Sequence, residues 1–334
     1  TVTASGDNYV VTPASGTAVE TPTSGVTSFV VNSITMNAEA AVLDGETITG
    51  TGNVALTKLE GDAAADLSLI TNTGTRTVAV SDDVTFTGNL GTFTTTVSSG
   101  KTLTADVDQL TGKTIDGAGT VALTDLDTLL SADLSGITPT TFTAAFNADG
   151  TFTGDLGAAA VAVASTKTLT TTVMKAAGKD IDGAGNVILT GGVTDDAVIT
   201  AIANTGTLAF DSNTTAITAS KTLTLDAVQA SKATSGITGT GNLTISDDGG
   251  AANSTIVSTV TKAGVITIDA GTGNDTINIG ISANLEADDT IDGGGGTDEL
   301  KIIADSDSTG AIADDLVDID TITLVADSTE TLKL

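Results

Sequence analysis

Short runs in which a branched apolar residue alternates with a small one recur along nearly the whole chain: Val54 and Leu56, Val121 and Leu123, Val187 and Leu189. A period of two predicts strands with one buried face. G-x-G or Asp-Gly pairs punctuate these runs, so the rhythm is strand, corner, strand. Single helical turns are expected at corners within 106–110, 174–177 and 226–231, and little other helix.

The runs belong to a larger repeat. TITGTGNVALT (47–57), TIDGAGTVALT (114–124), DIDGAGNVILT (180–190) and GITGTGNLTIS (236–246) are versions of one phrase. Their first glycines, Gly50, Gly117, Gly183 and Gly239, stand 67, 66 and 56 residues apart. Lys-Thr-Leu-Thr precedes three of the copies, at 101–104, 167–170 and 221–224, and Ile34-Thr35-Met36 takes its place before the first. Downstream, Asp66-Leu67-Ser68 matches Asp133-Leu134-Ser135, and Phe86–Gly91 matches Phe152–Gly157.

One rung of a solenoid cannot bury its apolar side until the next rung stacks on it, and such repeats need about 20 residues per rung, so each unit predicts about three rungs. The expected fold is all-β, a parallel β-helix or β-solenoid of about four degenerate units. A string of small β-sandwich domains is the alternative; no aromatic residue recurs in every unit to supply the separate cores it would need. The organisation expected is an N-terminal β segment over 1–33, holding Pro13 and Pro22, a four-copy repeat region over 34–262, and a distinct segment over 263–334. The last part, from Leu316 onward, alternates like a strand and predicts further rungs or an intersubunit edge.

Composition narrows the function. The chain is 40% hydrophobic but 2% aromatic, and its mean hydropathy of +0.25 argues against disorder. Forty-two acids against twelve bases leave a formal charge of −30, which repels nucleic acid and anionic membranes. With neither Cys nor His, thiol chemistry, imidazole bases, disulfides and soft-metal sites are excluded. Hard cations bound by oxygen are the remaining staple. No apolar run reaches transmembrane length. The opening TVTASGDNYVV has neither an initiator Met nor a basic leader, which predicts a processed product or a fragment.

Chemistry concentrates in 269–300, DAGTGNDTINIGISANLEADDTIDGGGGTDEL. Residues 293–301 fit the nonapeptide G-G-x-G-x-D-x-U-x, U being a large apolar residue, at every specified position. Asp289, nine residues before Asp298, repeats the D-x-U part, and 270–278 repeats all but the first glycine. Glycines let carbonyl oxygens turn inward and aspartate adds charge, so two stacked turns of this kind can surround calcium with its preferred oxygens. Ile277, Ile291 and Leu300 are then the inward apolar positions. Asp116 and Asp182, beside the repeat glycines, read as plain corners, since two of the four copies carry Thr there. No G-x-x-x-x-G-K-[ST] accompanies the glycine pairs, so a phosphate loop is not expected.

AGTGNDTIN and DDTIDGGGGTDELK resemble the repeats-in-toxin calcium motif of type I secreted bacterial proteins. The repeat phrase and LVDIDTITL resemble segments of Gly/Thr/Asp-rich surface-layer and adhesin-like proteins. The resemblance implies Ca2+ held by Gly271, Gly273, Asp275, Asp289, Gly293, Gly295 and Asp298. It also implies secretion unfolded, followed by calcium-coupled folding outside the cell. The 14-residue gap between Asp275 and Asp289 departs from multiples of nine and limits the count to one or two well-formed sites.

An enzyme is not expected. A β-helix polysaccharide lyase would need bases, and the chain has Arg76 and eleven scattered lysines; a hydrolase could use carboxylate pairs such as Asp195/Asp196 or Asp247/Asp248, which read as solvated turns. Thr-x-Thr runs such as 92–96 do not recur at rung spacing along the sequence, which argues against an ice-binding face. The expected function is a non-enzymatic structural protein of a bacterial cell surface, self-assembling into a surface layer or extracellular filament stabilised by calcium. The alternative is the stalk of a large secreted adhesin. Expected partners are further copies of the chain and a cell-surface polysaccharide, with no nucleic acid and no membrane insertion.

Overall fold

A computed structural model describes residues 2–5, 8–11, 28–33, 35–210, 216–226, 229, 238–239, 241–246, 255–258, 265–279, 288–304 and 315–326. The fold is a parallel β-solenoid, as the strand-and-corner rhythm predicts. Contacts divide the chain into two compact units, one made of 1–147 with 154–161 and the other of 148–153 with 162–334. Among the described residues no helix is long and apolar enough to cross a membrane.

In the first unit, strands Thr35–Ala38, Asn53–Leu56, Arg76–Val80, Thr94–Val97 and Thr114–Gly117 stack in that order as one parallel sheet. Val84–Phe86, Thr102–Ala105, Thr120–Leu123 and Thr141–Phe146 stack as a second. From Arg76 to Leu123 strands of the two sheets alternate along the chain, so the rungs there contribute to both. The remaining side is closed by Asx turns and single helical turns rather than strands. Asp66 pairs with Asn89 and Asp133 with Asp155 there, and each of these side chains caps the amide two residues on. The N-terminal strands differ: Val2–Ser5 and Asn8–Val11 form an antiparallel hairpin before parallel pairing resumes at Ser28–Val30 and Thr47–Thr49.

The second unit repeats the plan. Gly150–Thr151, Thr168–Thr172, Asn186–Thr190 and Leu208–Phe210 form one parallel sheet. Ala197–Val198, Thr222–Asp226, Asn242–Ser246, Ile266–Asp269, Thr290–Asp292 and Asp315–Val317 form another, and Thr255–Ser258, Thr276–Ile279, Glu299–Ala304 and Thr321–Ala326 a third. The strands expected after Leu316 therefore continue existing ladders; 327–334 lie outside the described residues.

Inward residues align into columns. Leu103, Val121 and Phe142 face one another across successive rungs of the first unit, and Leu169, Val187 and Leu208 do so in the second; all are buried. Each such aliphatic side chain contributes about 1.5–3 kcal/mol by leaving water. The repeat is visible as register: Met36 pairs with Val54, Leu103 with Val121, Leu169 with Val187 and Leu223 with Leu243. The phrase and the sheet do not keep step, however. Three hydrogen-bonded steps from Asn53–Leu56 lead to Thr114–Gly117, whereas the copy of Asn53–Leu56, Thr120–Leu123, lies one strand further on in the neighbouring sheet.

Helical turns occur at Val107–Leu110, where Asp106 and Gln109 form a capping box, and at Val173–Ala176, where the Lys175 amide donates to Thr172 Oγ1. A further turn, Ala40–Leu43, was not expected. In the fourth copy Gln229 is 1% exposed; its Nε2 donates to the carbonyls of Ile199 and Ile202 at 2.6 and 2.9 Å, and its amide donates to Asp226 Oδ1. Gln229→Ala would strip buried carbonyls of a donor, and a loss of about 2 kcal/mol is expected. Urea unfolding midpoints of the two proteins check this.

Candidate metal centre

Two turns in the second unit carry the glycine and aspartate motif. The first, 269–275, joins Ile266–Asp269 to Thr276–Ile279; the second, 292–298, joins Thr290–Asp292 to Glu299–Ala304. Each opens with an aspartate whose carboxylate accepts the amide two residues on: Gly271 N to Asp269 Oδ1 at 3.3 Å, and Gly294 N to Asp292 Oδ1 at 2.9 Å. That local bond is what turns the chain at this point. The apolar residues after each motif, Ile277, Ile291 and Leu300, are fully buried and set the stacking register, with Ile277 facing Leu300.

The turns lie directly on each other. Gly295 N donates to Gly271 O at 2.8 Å, Thr297 N to Asn274 Oδ1 at 2.9 Å, Asp275 N to Asp298 Oδ1 at 2.8 Å, and Glu299 N to Asp275 O at 2.8 Å. Gly294, at φ +80°, sits where a Cβ would overlap the Gly271 carbonyl, so no other residue fits that position. The stack continues to the next rung: Gly293 N donates to Val317 O, the amides of Asp320 and Thr321 to Asp298 O, and Asp298 N to Asp320 Oδ2 at 2.8 Å.

Of the residues expected to bind a cation, Gly271, Gly273, Asp275, Gly293, Gly295 and Asp298 belong to this stack. Asp289 is placed elsewhere. It stands at the far end of Thr290–Asp292, where its Oδ1 accepts Ile266 N at 2.6 Å. Asp289 and Asp298, nine residues apart, therefore share a rung, while the stacked pair is Asp275 and Asp298, 23 apart. The irregular 14-residue gap has a simple origin: it and the nine-residue step together complete one rung.

All three aspartates are 1% exposed. Asp298 is the informative one, because its Oδ2 is enclosed yet accepts no hydrogen bond from the protein. A buried carboxylate oxygen without a donor is costly, and a coordinated cation is one of the few partners that offsets it. The donors here are all hard oxygens, which fit calcium or magnesium and not softer metals. Among the described residues no three Asp, Glu, His or Cys side chains converge as a ligand cluster, so a cation here would draw on backbone carbonyls as well as carboxylates. Sequence reasoning passed over Asn274, Asp318 and Asp320. The 22-residue step from Asp298 to Asp320 is the signal that identifies the last, once it is measured in rungs rather than nonapeptides.

The other acidic pairs are rung-to-rung clasps. Asp196 Oδ1 accepts Thr222 N at 2.9 Å while Asp195 Oδ1 meets Lys221 Nζ at 2.7 Å; in the first unit Asp83 and Asp82 do the same for Thr102 and Lys101. The lysine hydrogen bond holds the carboxyls of Asp82 and Asp195 below the usual carboxylate range. Asp247/Asp248 lie outside the described residues. At the repeat corner, Asp116 Oδ1 accepts Thr96 Oγ1 at 2.8 Å. Single threonines align across rungs, Thr77 with Thr94 and Thr114 and Thr102 with Thr120 and Thr141, but the Thr-x-Thr run itself does not repeat, since Thr96 faces Ala79 and Asp116. Their neighbours break the arrays, with Asp116 beside Thr96 and Ala122 beside Thr104.

No protein-family model matches the chain, and no curated protein or solved structure matches it.

Proposed function

We propose that the chain is a non-enzymatic structural protein of a bacterial cell surface, secreted and then stiffened by calcium, which assembles with copies of itself into a layer or filament. The observation that carries this reading is the enclosed Asp298 carboxylate within stacked Gly-Asp turns. The clasps formed by Asp82/Asp83 and Asp195/Asp196 support it further, since these carboxylates hold one rung to the next. A charge of −30 adds a second role for the cation, because divalent ions lower the repulsion between copies as well as within one.

The test is thermal unfolding in chelator and in millimolar calcium, followed by negative-stain electron microscopy of both samples. Calcium is expected to raise the melting temperature and to give ordered sheets or fibres. Isolated rods in calcium would favour an adhesin stalk. An unchanged melting temperature and no assembly would sink the proposal.

A further inference from the structure

We infer that two copies of the chain join through the free edge of the strand Thr321–Ala326, the two strands running antiparallel about a two-fold axis. The inference rests on the self-assembly reading above and names the surface at which assembly begins.

Thr321–Ala326 is the last strand of its sheet, paired on one side with Glu299–Ala304 and, among the described residues, with no strand on the other. Successive residues of a strand in a parallel ladder turn their N–H and C=O groups to opposite sides. The Thr321 amide donates to Asp298 O, so Thr321, Thr323 and Val325 serve the existing ladder. The backbone groups of Ile322, Leu324 and Ala326 therefore point to the open edge, a template for another strand. The apolar interior is open at the same place. Ile322 stands in register with Leu300 and, one rung earlier, Ile277; both are fully buried, whereas Ile322 is 38% exposed. A column that each earlier rung receives from the next lacks its cover here.

A second copy of this strand is the complement these features specify. The sequence TITLVA has no charge and no proline, and its register with Glu299–Ala304 runs without a bulge, so none of the usual guards of an edge strand is present. In a chain of formal charge −30, an uncharged strand is a place where another copy meets no repulsion from the strand itself. In an antiparallel pair, residues that exchange both hydrogen bonds lie opposite each other, and both must point to the joint. Ile322, Leu324 and Ala326 meet that condition against themselves read in reverse, with Ile322 opposite Ala326 and Leu324 opposite its own counterpart on the axis. Such an isologous joint closes at two copies. The N-terminal sheet of the first unit ends on Val2–Ser5, which runs against its neighbour, so that sheet end offers no parallel ladder for head-to-tail growth.

Sedimentation equilibrium and hydrogen exchange on the full chain, with Ile322→Lys and Ala326→Pro beside it, test the joint in chelator and in calcium. Ala326→Pro removes an N–H that serves no bond to Glu299–Ala304, so it should fold as the parent does, and equal melting temperatures at high dilution check this. The parent is expected to form dimers in both conditions, and peptides over 321–326 to gain protection as concentration rises. Each variant is expected to weaken dimerisation by about tenfold or more. Protection of 321–326 that ignores concentration would mean that the chain's own residues cover the edge, and open-ended polymers broken by the variants would mean head-to-tail stacking; either overturns the two-fold joint. Sheets or fibres that form in calcium equally well from parent and variants would place the contacts elsewhere, overturning this inference while the assembly reading stands. A parent that stays monomeric in both conditions would remove both.

Discussion

Gly117→Ala is expected to destabilise the first unit by about 3 kcal/mol or more. Gly117 is the first glycine of the phrase TIDGAG and has φ +111°, where an L side chain is strained. A Cβ there would overlap the Val97 carbonyl and stand 2.7 Å from the Val97 amide, both belonging to the rung before. Backbone cannot swing aside as a flexible side chain can, so the strands Thr94–Val97 and Thr114–Gly117 must part. Gly112→Ala is the control: its φ is +67°, but nothing lies within 4 Å of the added methyl, so the cost is limited to the left-handed backbone, about 1 kcal/mol. Urea midpoints, with hydrogen exchange on the two strands, separate the cases. Equal losses in both variants would mean that contact with Val97 contributes nothing.

Asp298→Asn is expected to invert its effect with calcium. In chelator the wild-type Oδ2 is a buried anionic oxygen near the Asp318 carbonyl. An amide nitrogen in its place carries no charge into the buried position, while the amide oxygen can still accept Asp275 N. The variant should then be more stable than the parent by about 1–2 kcal/mol. In calcium at a hundredfold excess over Kd the parent gains about 2.7 kcal/mol and the variant little of it, so the order of melting temperatures reverses. A variant that is weaker by the same amount in both conditions would show the carboxylate to be a plain structural acceptor.

These predictions mark what the sequence could and could not reveal. The glycine phrase located its corners correctly, because a positive φ against a neighbouring carbonyl excludes every other residue and so leaves an unmistakable trace. The pairing of Leu103 with Val121 was legible for a related reason, since apolar alternation has to match across a ladder. The candidate metal centre was harder. Motif spacing pointed to Asp289 with Asp298, but stacking is governed by the inward columns Ile268 with Ile291 and Ile277 with Leu300, whose period is a whole rung. Asp320 carries no glycine motif, and nothing local distinguishes it from a solvated turn. The helical turn at Ala40–Leu43 escaped because the first copy has lost the Lys-Thr-Leu-Thr phrase that marks the corner elsewhere.

If copies assemble as proposed, the slippage between phrase and sheet sets how they meet. In the first unit, Met36 and Val54 lie on one sheet, and their counterparts Leu103 and Val121 lie on the adjacent one. A receptor or a sister subunit that recognises the outer surface of one copy therefore finds the next copy on a different side. Identical epitopes in a straight row suit a fibre with one sticky edge. Identical epitopes handed from side to side present valences in more than one direction, the condition for growth in two dimensions.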